Sequence, residues 1–176
     1  GIWPKKVVNY KTVMSDAASG FTSVTYPFPV IRMADLYLMY AEALNEKGED
    51  YATVLPWIDM VRERSGLQGV KESWDQYVGN SKYATQTGLR QIIMQERRIE
   101  LAFEGHYFWD VRRWKTATTE LTQPLTGWKV RYGETDVDYY SENLVLVRDF
   151  TPKMYFWPID IGELRKDPNL VQNYGW

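Results

Sequence analysis

Residues 92–114, Ile-Ile-Met-Gln-Glu-Arg-Arg-Ile-Glu-Leu-Ala-Phe-Glu-Gly-His-Tyr-Phe-Trp-Asp-Val-Arg-Arg-Trp, decide how this chain is read. Wound at 3.6 residues per turn, the stretch from Leu89 to Phe103 gathers Leu89, Ile92, Ile93, Ile99 and Phe103 on one face. Glu96 falls in the middle of that face and Glu100 lies one turn along. A carboxylate on a buried stripe is costly unless a cation pairs with it. The expected partners are Arg97 and Arg98 on the helix, Arg112 and Arg113 just beyond it, and Arg32 across a hairpin. The segment therefore predicts a polar knot, Glu96, Glu100, Arg97, Arg112 and Arg113, inside an aromatic-rich core.

Outward from this helix, two more follow the same period. Residues 31–47 carry Met33, Leu36, Tyr37, Tyr40, Ala41 and Leu44 on one broad apolar face, and Gly48 supplies a stop. Residues 51–65 place Val54, Trp57, Ile58 and Val61 on a stripe that ends at Gly66. Pro56 is expected near the start of that helix, because an interior proline costs about 3 kcal/mol. Two helices joined by a short turn form an antiparallel hairpin, so 31–66 reads as one tetratricopeptide-like pair.

Residues 67–86 are polar with scattered rings and read as a surface loop. Thr87 is the expected N-cap of a long helix over 88–104, and Gly105 breaks it before a short helix that runs to about Lys115. Beyond this the period changes. Trp128, Val130 and Tyr132 alternate with polar residues, while Leu144–Val147 and Met154–Trp157 are short apolar runs. These predict two or three short strands in irregular chain. Asp160 followed by Glu163 caps a last helical turn. The fold class is therefore mainly α: a helical hairpin and a long helix, with loops and a small β-hairpin region near the C-terminus. All 176 residues are expected to form a single domain.

Composition excludes several classes. With 21 basic and 23 acidic residues spread along the chain, nothing favours nucleic acid or a polybasic membrane patch. There is no Cys and a single His, His106, which removes disulfides, thiolate sites and multi-histidine metal centres. No phosphate loop, serine elbow or EF-hand spacing is present, and no cofactor is implied. Nor is there a run of about 18 apolar residues that could span a bilayer as a helix. The opening Gly1-Ile2-Trp3-Pro4 lacks an initiator Met, and a fragment of a longer protein is expected.

Two kinds of chemistry fit the remaining residues. The row Glu96, Glu100, Glu104 projects to one side of a helix and could serve acid–base work on a glycosidic bond. The surrounding arginines would hold those carboxylates ionised, which suits architecture better than a tuned acid. His106 could act as a base, but it stands beside no nucleophile. The chain also carries 8 Trp and 13 Tyr. The clusters Trp74, Tyr77, Tyr83 and Trp128, Tyr132, Tyr139, Tyr140 sit in loop-like sequence and are the candidate sugar-stacking residues. Their competing role is to cover the core.

Several blocks now read together. Ile31-Arg32-Met33-Ala34-Asp35-Leu36-Tyr37-Leu38-Met39-Tyr40-Ala41-Glu42-Ala43 resembles a signature of the SusD/RagB family, with Asp35 where Glu is common. So do Trp57-Ile58-Asp59-Met60-Val61-Arg62-Glu63-Arg64-Ser65-Gly66-Leu67, the Glu96–Gly105 run and Asp110-Val111-Arg112-Arg113-Trp114. A last block covers Trp157-Pro158-Ile159-Asp160, Glu163-Leu164 and Asp167 to Trp176. The resemblance implies the C-terminal portion of a nutrient-binding lipoprotein on the outer face of an outer membrane. Such a protein is not an enzyme. It captures oligosaccharides, or in some members peptides, and passes them to a SusC-like TonB-dependent transporter. Membrane attachment would come only from a lipid anchor on a cysteine that this chain lacks. The blocks resemble scaffold rather than ligand motifs, so they carry no binding residues over. The alternatives are a tetratricopeptide-like protein-binding or peptide-binding module and a glycoside hydrolase.

Overall fold

A computed structural model describes residues 5–14, 20–129 and 135–176. The chain resolves into two compact units, residues 2–107 and 108–176.

In the first unit, a short antiparallel pair, β1 (Val13–Met14) and β2 (Phe21–Thr22), precedes three main helices. These are α1 (Met33–Lys47), α2 (Tyr51–Arg64) and, after the single turn α3 (Val70–Ser73), α4 (Gln86–Glu100). Helix α1 packs against both α2 and α4. Gly48 ends α1 in the left-handed conformation, φ 87°, where a side chain would be strained. Its N–H bonds the Asn45 carbonyl and the Glu49 N–H bonds that of Leu44, the double bond that reverses a chain into a hairpin. The Asp50 carboxylate then accepts the Ala52 N–H at 2.6 Å and starts α2.

The core lies where the three helices meet. Leu38, Ala41, Val54, Ile58, Leu89 and Ile93 are buried there, with Ala34 and Ala41 leaving room for close approach. The buried residues of α1 are Ala34, Asp35, Leu38, Ala41 and Asn45, which corrects the expected face in all but Ala41, with Tyr37 and Leu44 partly buried. Met33, Leu36 and Tyr40 are exposed instead. At about 100° per residue, the expected stripe stands roughly a quarter-turn from the observed one. Helix α1 is apolar over both, so hydrophobicity alone does not choose; small residues that admit α2 and α4 do. On α2 the stripe is Val54, Leu55, Ile58 and Val61, with Trp57 half-buried between Tyr37 and Tyr40.

Pro56 is the sixth residue of α2, deeper than expected. It brings no N–H to the Ala52 carbonyl, and both residues are exposed, so water can take the place of the missing bond. The expected loop 67–86 is partly helical: α3 is followed by a π turn at Trp74–Val78 and a 3₁₀ turn at Lys82–Ala84. The order comes from Asp59, whose carboxylate reaches from α2 to accept the Val70 N–H at 2.7 Å and cap α3. The long helix starts two residues earlier than expected. Thr85 caps it by accepting the Gly88 N–H, and a Cβ on Gly88 would lie 2.1 Å from the Lys82 carbonyl. It also ends earlier, at Glu100. Ile99, in the last turn of α4, and Phe103 are exposed, against expectation; Phe103 lies past the helix end, where its backbone is left-handed, φ 66°.

Helix α5 (His106–Arg113) carries the chain into the second unit. There follow α6 (Ala117–Glu120), β3 (Leu125–Trp128), α7 (Asp136–Tyr139), β4 (Glu142–Leu146) and α8 (Ile161–Lys166). Strands β3 and β4 pair antiparallel, Trp128 opposite Glu142 and Thr126 opposite Leu144. The expected strand at Met154–Trp157 is instead a 3₁₀ turn, Pro152–Tyr155, opened by its proline. Asp160 caps α8 as expected, accepting the Gly162 N–H at 2.7 Å.

Candidate ligand-binding site and the ion-pair knot

The glutamate row is gripped by cations from outside its own segment. Arg62 of α2 pairs with Glu96. Arg32, just before α1, donates from Nη1 to Glu100 at 2.6 Å, from Nε to Glu104 at 2.7 Å and from Nη2 to the Glu100 carbonyl at 2.8 Å. Arg64 reaches Glu100 at 2.7 Å, and Lys6 pairs with Glu104 and with the Glu100 carbonyl. The Glu104 side chain is only 3% exposed. Burial pushes its carboxyl up, but the hydrogen bonds from Arg32 and Lys6 outweigh this and hold it below the usual range. Burial likewise opposes the charge of Arg32, and the bonds to Glu104 and Glu100 outweigh it, raising its pKa.

The neighbouring arginines take other partners than those expected. Successive helix residues point about 100° apart, so Arg97 and Arg98 cannot turn back onto Glu96. Arg97 enters the core and bonds Asp35 of α1 at 2.8 Å. The Arg98 guanidinium lies over Tyr107. Arg112 donates to the Met154 carbonyl and is ringed by Phe108, Phe150 and Trp157, with its guanidinium 4.2 Å from the Phe108 ring centre. Arg113 bonds Asp110 at 2.8 Å and lies over Trp114. Arg32 is the expected partner that does join the knot, and Arg62 and Arg64 are the members that the sequence did not single out. Their only signal was position at the end of α2.

The expected sugar-stacking rings fall into two groups. Tyr83 is buried in the core, edge-on to Tyr51, with its hydroxyl donating to Asp75 at 2.8 Å. That bond raises the phenol pKa, with burial adding to it. Trp74 is half-buried against the same core with the Lys82 ammonium over its face, whereas Tyr77 stands out in solvent from the π turn. Tyr83 also lines a groove of about 600 Å³ at the hairpin turn, with Asn45, Asp50, Tyr51 and Gln86. Asn45 and Gln86 close its floor reciprocally, each side-chain amide donating to the other's backbone carbonyl.

In the second unit, Trp128, Tyr139 and Tyr140 come together. Trp128 and Tyr140 meet edge-to-face at 5.2 Å and Tyr139 meets Tyr140 at 5.0 Å. Trp128 is 51% exposed and Tyr140 is 59% exposed. Rings so arranged hold one another rigid and leave flat faces to solvent. Tyr132, the remaining expected member, lies outside the described residues. Among the described residues, no group of three or more His, Cys, Asp or Glu could hold a metal ion, and no helix is long and apolar enough to cross a membrane.

The sequence matches the SusD family over residues 1–176. The chain belongs to the SusD family. Two SusD-like proteins of Formosa agariphila are 39% and 28% identical to it over 144 residues, which is 82% of this chain and 23% and 24% of theirs. A SusD-like protein from Bacteroides fragilis superposes with a TM-score of 0.68 at 29% identity, covering 85% of this chain and 26% of that one. A SusD-like carbohydrate-binding protein from the same organism superposes with a TM-score of 0.65 at 32% identity, covering 81% and 28%. This SusD-family chain therefore spans about a quarter of the length of the relatives it matches.

Proposed function

We propose that this SusD-family protein captures glycans without cleaving them. The observation that carries the reading is the mutually braced ring cluster of Trp128, Tyr139 and Tyr140, with Trp128 and Tyr140 exposed, on a chain of this family. Flat ring faces accept the apolar faces of pyranoses, and free tyrosine hydroxyls can bond sugar hydroxyls at the edge. Hydrolysis has less support. A retaining or inverting pair needs one carboxyl free to give up a proton and another free to attack or activate water. Glu96, Glu100 and Glu104 are each held by at least one cation. The family further supports a place on the outer face of an outer membrane, lipid-anchored in the whole protein, delivering cargo to a SusC-like TonB-dependent transporter.

The test is isothermal titration of the folded chain with a panel of oligosaccharides. At least one should bind, and Trp128→Ala should abolish that binding while leaving the melting temperature unchanged. Binding that survives removal of all three rings would reject this site.

A second reading rests on α1. Met33, Leu36 and Tyr40 form one exposed apolar ridge, suited to a protein or peptide partner. Under it, Leu36→Asp would abolish co-purification with the transporter and leave sugar binding intact.

A further inference from the structure

We infer that the groove at the bend between α1 and α2 is a second sugar site, which takes an uncharged mono- or disaccharide. Its described lining residues all belong to the first unit, so it shares none with the ring cluster. Two helix starts build it: Tyr51 opens α2 and Gln86 opens α4, and both border the groove. The reciprocal bonds between Asn45 and Gln86 tie α1 to α4 beneath, so the floor is set before any ligand arrives. The volume of about 600 Å³ falls within the roughly 300–1,000 Å³ of small-ligand sites.

The lining mixes apolar surface with spare acceptors. The Tyr51 ring stands edge-on to Tyr83, with centres 5.4 Å apart, and Leu89 lies below. Such surface suits the C–H side of a pyranose. Among the described residues the Tyr51 hydroxyl has no partner, so it can bond a sugar hydroxyl. Glu49 gives one carboxylate oxygen to Lys47 at 2.6 Å, and Asp50 gives one to the Ala52 N–H at 2.6 Å. Each keeps a second oxygen. Lys47 and the positive end of α2 compensate the two charges. What remains is lone pairs with little net charge, and hydroxyls are the donors that match them. An ammonium would face the N-termini of α2 and α4, and a sulfate or uronate would face Glu49 and Asp50. The groove is open on one side, so one sugar unit binds it weakly. Its occupancy is read from amide shifts and not from the titration heat that reports the ring cluster.

Amide-resolved NMR titration of the folded chain with glucose, galactose, mannose, maltose and cellobiose tests this, with glucosamine and glucuronate as charged counterparts. At least one neutral sugar should shift amides within 48–52 and 83–89. Ala84→Trp adds bulk at an exposed position on the groove wall and should weaken that binding about tenfold or more. Tyr51→Phe removes one hydroxyl and should weaken it about two- to tenfold. Trp128→Ala should leave these shifts unchanged, and the amide spectrum of each variant checks its fold. Groove amides that stay still with every sugar, or respond in Ala84→Trp as in the parent, overturn the site and leave the ring cluster to its own test. A charged sugar bound there more tightly than its neutral counterpart overturns the ligand class.

Discussion

Arg32→Ala should be among the most damaging single substitutions outside the apolar core. Its side chain is 21% exposed, and the guanidinium spans two carboxylates and a backbone carbonyl. Its three bonds run 2.6–2.8 Å. Hydrogen bonds involving charged groups contribute about 1.5–3 kcal/mol each, so the gross loss is about 4.5–9 kcal/mol. Glu104 would keep Lys6 and Glu100 would keep Arg64, which offsets part of it. A net cost of about 3 kcal/mol follows, at the lower end for breaking one partner out of a buried ion pair. For a chain of this size that is a fall in Tm of about 6–12 °C. Arg32→Lys restores the charge but not the fork, and should recover less than half. Urea titration followed by far-ultraviolet circular dichroism gives the number, and a cycle with Glu104→Ala isolates the pair. If Arg32→Ala melts with the parent, the knot is a solvated ornament and the architectural role assigned to it is wrong.

Other outcomes follow from single contacts. The Glu104 carboxyl is held below its ordinary pKa of 4.5, so its contribution to stability is present above that pH and is lost as pH falls through the depressed folded value. In Glu104→Gln that acid limb of a pH–stability profile should be shallower. Asp59 runs the other way: burial, opposed by the Val70 N–H, raises its pKa, so its charge weighs on the fold as pH rises through the raised value. Asp59→Asn keeps an oxygen for the Val70 N–H, so its Tm should exceed the parent's at neutral pH and the gap should close in acid. Gly88→Ala forces a methyl onto the Lys82 carbonyl and should cost about 1–3 kcal/mol in thermal unfolding, although alanine is the better helix former.

Helix period made α1, α2 and α4 legible from residue types alone, together with the carboxylates that needed partners. Of the partners, Arg32 was legible as a candidate across the hairpin, and Arg62 and Arg64 were not. Arg32, Arg62 and Arg64 come from helix ends brought together only by packing, and a one-dimensional spacing argument favours neighbours such as Arg97, which the helix itself turns away. The buried face of α1 was misjudged for a related reason. Two adjacent apolar stripes compete, and the alanines that let helices touch carry less hydrophobic weight than Met33 or Tyr40. Order in 70–84 was missed because its cap, Asp59, lies on another helix. The ring cluster was anticipated as residue types in loops. Its braced geometry depends on the β3–β4 register and on α7 between the strands, neither of which leaves a periodic trace.

Pro56 has one more effect. The first turn of α2 is tied to the rest of the helix by one rung fewer than its length suggests, and that turn borders the groove holding Tyr51 and Tyr83. Amide exchange should therefore begin at residues 51–55 before it reaches the remainder of α2. The bend between α1 and α2 is accordingly the place where added residues would disturb the helical unit least.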